Sequence, residues 1–103
     1  MAERRMFSRS VVESARFLKM PVSSKNLYFH LVMNADDDGI VEAYSVINLI
    51  RANEDDLRVL HARGFVRILN EDLVTYVMDW REQNKIRPDG KKDSIHQELL
   101  QHF

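Results

Sequence analysis

Residues 43–78 read AYSVINLIRANEDDLRVLHARGFVRILNEDLVTYVM, and this stretch decides the fold. Its first apolar residues recur at positions 43, 46, 47 and 50, which is helical spacing. Asn53 is placed to cap a second helix, in which Leu57 and Leu60 face inward. Gly64 follows where a helix end favours a left-handed residue. The two helices are joined by very few residues, as a helix-turn-helix requires.

Two strands and a turn are predicted after this helix pair. Residues 65–69 and 73–78 are rich in β-branched and aromatic side chains, and the stretch Asn70-Glu71-Asp72 between them is short enough for a hairpin turn. Upstream, Ile40 and Val41 form a short strand that we expect to pair with the hairpin. The predicted class is therefore α+β, mainly helical, with the element order of a winged helix-turn-helix. Other packings of a small α+β domain produce the same order.

The N-terminal part predicts further helices. A helix over residues 11–19 is ended by Pro21, and Ser23 or Ser24 is placed to cap the next one. In residues 23–35, SSKNLYFHLVMNA, the apolar side chains recur at helical spacing, so we expect a strongly amphipathic helix.

Three consecutive aspartates follow that helix in the stretch ADDDGIV, residues 35–41. A calcium loop of the EF-hand type needs acids at alternate positions and a closing Glu at the twelfth, but the twelfth residue from Asp36 is Ile47. His30 has no second histidine near it in sequence, so a local zinc ligand set is absent. We interpret the stretch as a helix end and an Asp-Gly turn that leads into the short strand.

Nothing in the sequence indicates an enzyme, a cofactor or a metal site. The three glycines are scattered at 39, 64 and 90, so no phosphate-binding loop exists, and no serine has a nucleophile-elbow setting. The chain has 103 residues, 45% hydrophobic composition and no cysteine. We expect one domain over 1–103, cytoplasmic and with no membrane span, ending in a basic, flexible segment at 81–92 and a short helix at 93–102.

Charge is segregated along the chain although the net charge is only −1. Residues 34–72 hold nine acids against four arginines, whereas the remainder carries an excess of four positive charges. If the chain binds DNA, we expect mainly nonspecific phosphate contacts, because Glu54, Asp55 and Asp56 at the start of the second helix repel phosphates. The candidate DNA-binding residues are Arg4, Arg5, Arg9, Arg58, Arg63, Arg81, Lys85, Arg87, Lys91 and Lys92.

Several segments carry a resemblance to a known family. FLKMP at 17–21, LYFHL at 27–31, ADDDG at 35–39 and the pair Trp80 and Asn84 resemble the N-terminal domain of replisome-organiser (DnaD-like) replication proteins of phages and prophages of Gram-positive bacteria. The resemblance covers nearly the whole chain. It implies a winged-helix fold, a role in replication initiation, and partners among the replication proteins of the phage or its host.

Two alternative functions stay open from the residues alone. One is a protein-interaction or oligomerisation module that does not bind DNA directly, and the other is a small transcription regulator. In DSIHQELLQHF, residues 93–103, Ile95, Leu99 and Leu100 form an apolar stripe that docks either on the chain's own core or on a second copy. We expect Trp80 to be a core anchor rather than a base-stacking residue.

Overall fold

The computed structural model describes residues 6–78 and 80, and these form a small α+β domain, about half helical, with one antiparallel sheet. In chain order the elements are α1 (Arg9–Val12), α2 (Ala15–Leu18), α3 (Val22–Asn34), β1 (Ile40–Glu42), α4 (Ala43–Ile50), α5 (Glu54–Ala62), β2 (Val66–Ile68) and β3 (Val74–Val77).

The sheet has the strand order β1-β3-β2, so β3 lies in the centre. Val41 pairs with Thr75, and Val66 pairs with Val77, both in antiparallel register. Thus β1 pairs with the hairpin, as predicted. The turn of the hairpin is closed by Asn70, whose Oδ1 accepts hydrogen bonds from the backbone N–H groups of residues 72 and 74 at 3.0 and 3.1 Å.

The N-terminal region differs from the single helix predicted over residues 11–19. Two four-residue helices, α1 and α2, replace it. Ser14 separates them because its Oγ donates to the Val11 carbonyl at 2.7 Å and accepts from the Phe17 N–H at 3.2 Å, which caps α2 and ends α1. A serine side chain competes in this way with the backbone bonds of a continuous helix.

Helix α3 is the central element of the core, in contact with α4 and α5. Leu27, Tyr28, Leu31 and Val32 are fully buried on its inner side. The prediction that Ser23 or Ser24 caps this helix was wrong, because Pro21 occupies the cap position. Proline suits the start of a helix, where its missing N–H needs no partner.

The outer side of α3 also differs from expectation. Its exposed residues include the apolar side chains of Val22, Phe29 and Met33, which are 76%, 36% and 49% exposed. The helix is therefore apolar on more than its buried side and is not strongly amphipathic.

Aromatic rings join α2 and α3 to the start of β2. The Phe17 ring meets Tyr28, Phe29 and Phe65 edge to face, with ring centroids 5.3, 5.7 and 5.4 Å apart. The Arg16 guanidinium lies 4.5 Å above the centroid of Phe65. Such edge-to-face pairs add stabilisation beyond the burial of apolar area.

Helix α5 begins with a capping box, and Asn53 is its N-cap, as predicted. Asn53 Oδ1 accepts from the Asp56 N–H, and Asp56 Oδ2 accepts from the Asn53 N–H, both at 3.1 Å. Asp56 also accepts a 2.6 Å bond from the Ser23 hydroxyl, so the start of α5 is tied to the start of α3. Gly64 follows the helix with φ +82°, as predicted.

Replacement of Asp56 by alanine is expected to lower the free energy of unfolding by about 2 kcal/mol, because the bonds that its carboxylate accepts from the Asn53 N–H and from the Ser23 hydroxyl are both lost. Asp55→Ala is the matched control. The Asp55 side chain is 84% exposed and pairs with Arg58, so its loss is expected to change stability by about 0.5 kcal/mol or less. Urea unfolding of both variants measures the difference, and equal losses would contradict the capping role.

Candidate functional site

The aspartate stretch after α3 forms a turn, as predicted. Asp36 Oδ1 accepts backbone hydrogen bonds from Asp38 at 2.9 Å and from Ile40 at 3.1 Å. Gly39 adopts φ +81°, which lets the chain reverse into β1. Among residues 6–78 and 80, no group of three or more His, Asp or Glu side chains is arranged to hold a metal ion.

Trp80 is a core anchor, as predicted. Its side chain is 1% exposed, and its indole Nε1 donates a 3.1 Å hydrogen bond to the carbonyl of Asp37. The ring packs directly against Gly39. Trp80 is therefore fastened to the turn between α3 and β1, and its indole has no exposed face on which a base could stack.

A cleft of about 550 Å³ lies between the beginnings of α4 and α5 and the turn of the hairpin. Its lining residues are Tyr44, Glu54, Arg58, Glu71, Asp72 and Leu73. Tyr44 is 58% exposed at the start of α4, so its ring is accessible at the edge of the cleft. Residues from three separate parts of the sequence thus meet on one side of the domain.

The charges in this cleft are predominantly negative. Arg58 donates to Asp55 Oδ1 at 2.8 Å and to Glu54 Oε2 at 3.2 Å, so two carboxylates on its own helix neutralise it. Glu71 and Asp72 add two further acids from the hairpin turn. Phosphate groups would meet repulsion on this side of the molecule, whereas a positively charged group would be attracted.

Three of the candidate DNA-binding residues lie in the described part of the chain, each in a different setting. Arg58 faces the acidic cleft. Arg63 lies exposed at the other end of α5, and within residues 6–78 and 80 no carboxylate is within ion-pair distance of it. Arg9 pairs with Glu13 at 2.9 Å, and this carboxylate raises the pKa of the Arg9 guanidinium. The other candidates lie outside the described residues, namely Arg4, Arg5, Arg81, Lys85, Arg87, Lys91 and Lys92.

Sequence reasoning missed Tyr44 and Leu73 as cleft residues. Tyr44 lies between the buried residues Ala43 and Val46 on α4, and its helical phase places it on the outer side. The sequence therefore indicated that Tyr44 lies on the outer side of α4. It did not indicate that Glu71 and Asp72 lie across the cleft from Tyr44, because they come from a distant part of the chain.

The longest helix in the described part of the chain is α3, with 13 residues, and none there has the length and apolar character to cross a membrane. Comparison of the chain with protein-family models, curated proteins and solved structures found no match.

Proposed function

We propose that this chain is a winged-helix domain that acts in DNA replication, of the kind found at the N-terminus of phage and prophage replisome-organiser (DnaD-like) proteins. The observation that carries the proposal is the succession of α4, α5 and the β2–β3 hairpin, with β1 beside β3. Only residues 51–53 separate the two helices, which suits a helix-turn-helix. The choice of this family rests on the sequence resemblance of residues 17–21, 27–31 and 35–39 and of the pair Trp80 and Asn84.

In this proposal, DNA is held by phosphate contacts away from the start of α5. A helix-turn-helix usually places the N-terminal end of its second helix on base edges. Here that end carries Glu54, Asp55 and Asp56, and the hairpin turn beside it adds Glu71 and Asp72. We therefore assign DNA contact to Arg63 and to the basic sequences at the two ends of the chain, which makes the binding sequence-independent and salt-sensitive.

A second candidate function is that of a protein-interaction module. The acidic cleft favours it, because Glu71 and Asp72 face the neutralised Arg58 and the exposed ring of Tyr44. A basic segment of a partner protein would find both carboxylates and an aromatic face there. In this case the partner would be a replication protein, and the chain would act at DNA without holding it.

Fluorescence anisotropy with short duplex and single-stranded DNA, at low and moderate salt, tests the first function. We expect salt-sensitive binding that Arg63→Ala weakens and that the charge reversal Lys91→Glu/Lys92→Glu weakens further. The double reversal is expected to make the salt dependence shallower by roughly two phosphate contacts. Arg58→Ala is the matched control on the same helix and should leave the affinity nearly unchanged, because Arg58 is already paired with two acids.

Two results would count against this assignment. If Arg58→Ala weakens binding as much as Arg63→Ala, DNA contacts the cleft side after all. If the wild-type chain binds neither DNA at low salt, the first function fails and the second candidate is favoured.

A further inference from the structure

Three exposed apolar residues form a line along the outer side of α3. Val22, Phe29 and Met33 are separated by seven and four positions, and all three are exposed. This spacing places them within about 40° of one another around the helix axis and over about 16 Å of its length. We call these three residues the α3 stripe. An apolar area of this kind on a small domain usually marks a contact surface.

Aromatic contacts hold the middle of the α3 stripe in place. The Phe29 ring meets the rings of Phe7 and Phe17 edge to face, with centroids 5.1 and 5.7 Å apart. Met6 and Leu18 adjoin those two phenylalanines in the chain and are also exposed, which places two further apolar residues near Phe29. A second apolar helix can therefore contact this surface without rearranging the core.

The chain leaves the described structure beside the C-terminal end of α3. The last described residue, Trp80, is hydrogen-bonded to the carbonyl of Asp37, three residues after α3 ends at Asn34. Residues 81–103 lie outside the described residues. Their first twelve, 81–92, span up to roughly 40 Å when extended, whereas the 13 residues of α3 measure only about 20 Å. The segment 93–103 can therefore reach every part of the α3 stripe.

This segment carries an apolar stripe of its own, of matching length. In DSIHQELLQHF, Ile95, Leu99 and Phe103 recur at every fourth position, and Leu100 flanks them. On a helix these three residues lie within about 80° of one another, and the eleven residues of the segment extend over about 16 Å. A helix this short is marginal by itself in water, so it needs an apolar surface to pack against.

We propose that residues 93–103 form a helix whose apolar side packs on the α3 stripe of the same chain, antiparallel to α3. In this direction Ile95 lies near Met33, close to the point where the chain leaves Trp80. Leu99 then lies near Phe29, and Phe103 is directed towards Val22. The antiparallel direction also opposes the dipoles of the two helices, which is the favourable arrangement.

The covalent connection through Trp80 selects this segment over a second molecule. A linker of twelve residues keeps the segment at a millimolar effective concentration near α3, so a second copy at micromolar concentration competes poorly. The inference is independent of the proposed function, because neither the cleft nor DNA binding enters it. It does have a consequence for that function, since residues 81–92 become a loop whose two ends are both held beside the end of α3.

Hydrogen exchange of the whole chain, followed by mass spectrometry, tests the docking. The amides of 93–103 should exchange about tenfold or more slowly in the wild type than in Val22→Glu/Met33→Lys, which places charges under the docked helix. An acid at the start of α3 and a base at its end suit the macrodipole, so the core amides of α3 should stay protected. Leu49→Lys is the matched control, because it removes an exposed apolar residue from α4 and should leave 93–103 protected.

Pairs of introduced cysteines test which chain supplies the helix and in which direction it runs. The sequence has no cysteine, so each pair reports only on the two positions chosen. In a glutathione redox buffer, Met33→Cys/Ile95→Cys should form a disulfide within one chain, at a yield that does not depend on protein concentration. Val22→Cys/Ile95→Cys and the control Leu49→Cys/Ile95→Cys should each oxidise about tenfold more slowly.

Three results would overturn the proposal. Equal exchange of 93–103 in the wild type and in Val22→Glu/Met33→Lys would show that the segment does not dock on the α3 stripe. Disulfides formed mainly between two chains would assign the stripe to the segment of a second copy. Faster oxidation of the Val22 pair than of the Met33 pair would exclude the antiparallel direction.

Discussion

Replacement of Gly39 by alanine is expected to lower the free energy of unfolding by about 3 kcal/mol, because two separate penalties coincide at this position. Gly39 has φ +81°, a conformation that disfavours any residue with a side chain. An added Cβ would also lie 2.5 Å from Cγ of Trp80 and 2.7 Å from its Cβ. The indole cannot move away easily because it is buried and hydrogen-bonded to Asp37.

Gly64→Ala provides the matched control for this prediction. Gly64 has nearly the same φ, +82°, but an added Cβ would meet only the Arg16 guanidinium, at 3.7 Å. Its cost should therefore be the conformational penalty alone, about 1 kcal/mol. Urea unfolding of both variants separates the two contributions. Equal losses at 39 and 64 would show that the contact with Trp80 is not rigid.

Replacement of Trp80 by alanine is expected to cost about 3–5 kcal/mol, the range for removing a large buried aromatic side chain. Small domains have a total stability of about 5–15 kcal/mol, so this variant should lose a large part of it. Trp80 is the single tryptophan of the chain, so unfolding must be followed by far-ultraviolet circular dichroism rather than by indole fluorescence.

Trp80→Phe is the control for this second prediction. It keeps much of the ring packing but removes the bond from Nε1 to the Asp37 carbonyl, so its loss should be clearly smaller than that of Trp80→Ala. If the alanine variant were as stable as the phenylalanine variant, packing of an aromatic ring at position 80 would contribute little to the stability of the domain.

The two positions are also expected to be coupled. When Trp80 is already alanine, the contacts of the added Cβ with the indole ring disappear, but its 2.7 Å contact with Cβ of residue 80 does not. The Gly39→Ala penalty should therefore fall, although it stays above the roughly 1 kcal/mol that the positive φ costs by itself. The double variant should therefore lose less stability than the two single variants predict together. Additive losses would contradict a direct contact, because independent sites usually add.

At the candidate site, the surroundings of two arginines differ although their positions in the sequence are similar. Arg58 lies on α5 and Arg63 directly follows that helix, and the two look equivalent as cations in the sequence. The structure distinguishes them, because Arg58 is paired with Glu54 and Asp55 and faces a cleft that Glu71 and Asp72 make more acidic. Arg63 lies at the end of α5 away from those acids.

Features made by neighbours in sequence could be predicted from the sequence alone. The capping box of Asn53 and Asp56, the left-handed Gly64 and the turn at Asp36 each involve groups within four positions. The antiparallel hairpin and the short strand beside it were predicted for the same reason, since residue types and turn chemistry specify them locally. The acids on α5 that neutralise Arg58 were likewise visible at helical spacing.

Other features depend on residues that meet only in the folded chain. The Ser23 bond to Asp56 spans 33 positions, and the Trp80 bond to Asp37 spans 43. The cleft joins Tyr44 to Glu71 and Asp72, and the apolar outer side of α3 became apparent only when the buried side was known. Sequence periodicity shows where apolar side chains recur along one helix, but which side is covered depends on the elements that pack against it. Local hydrogen bonding therefore determined the elements of this protein, and packing between distant segments decided its surfaces.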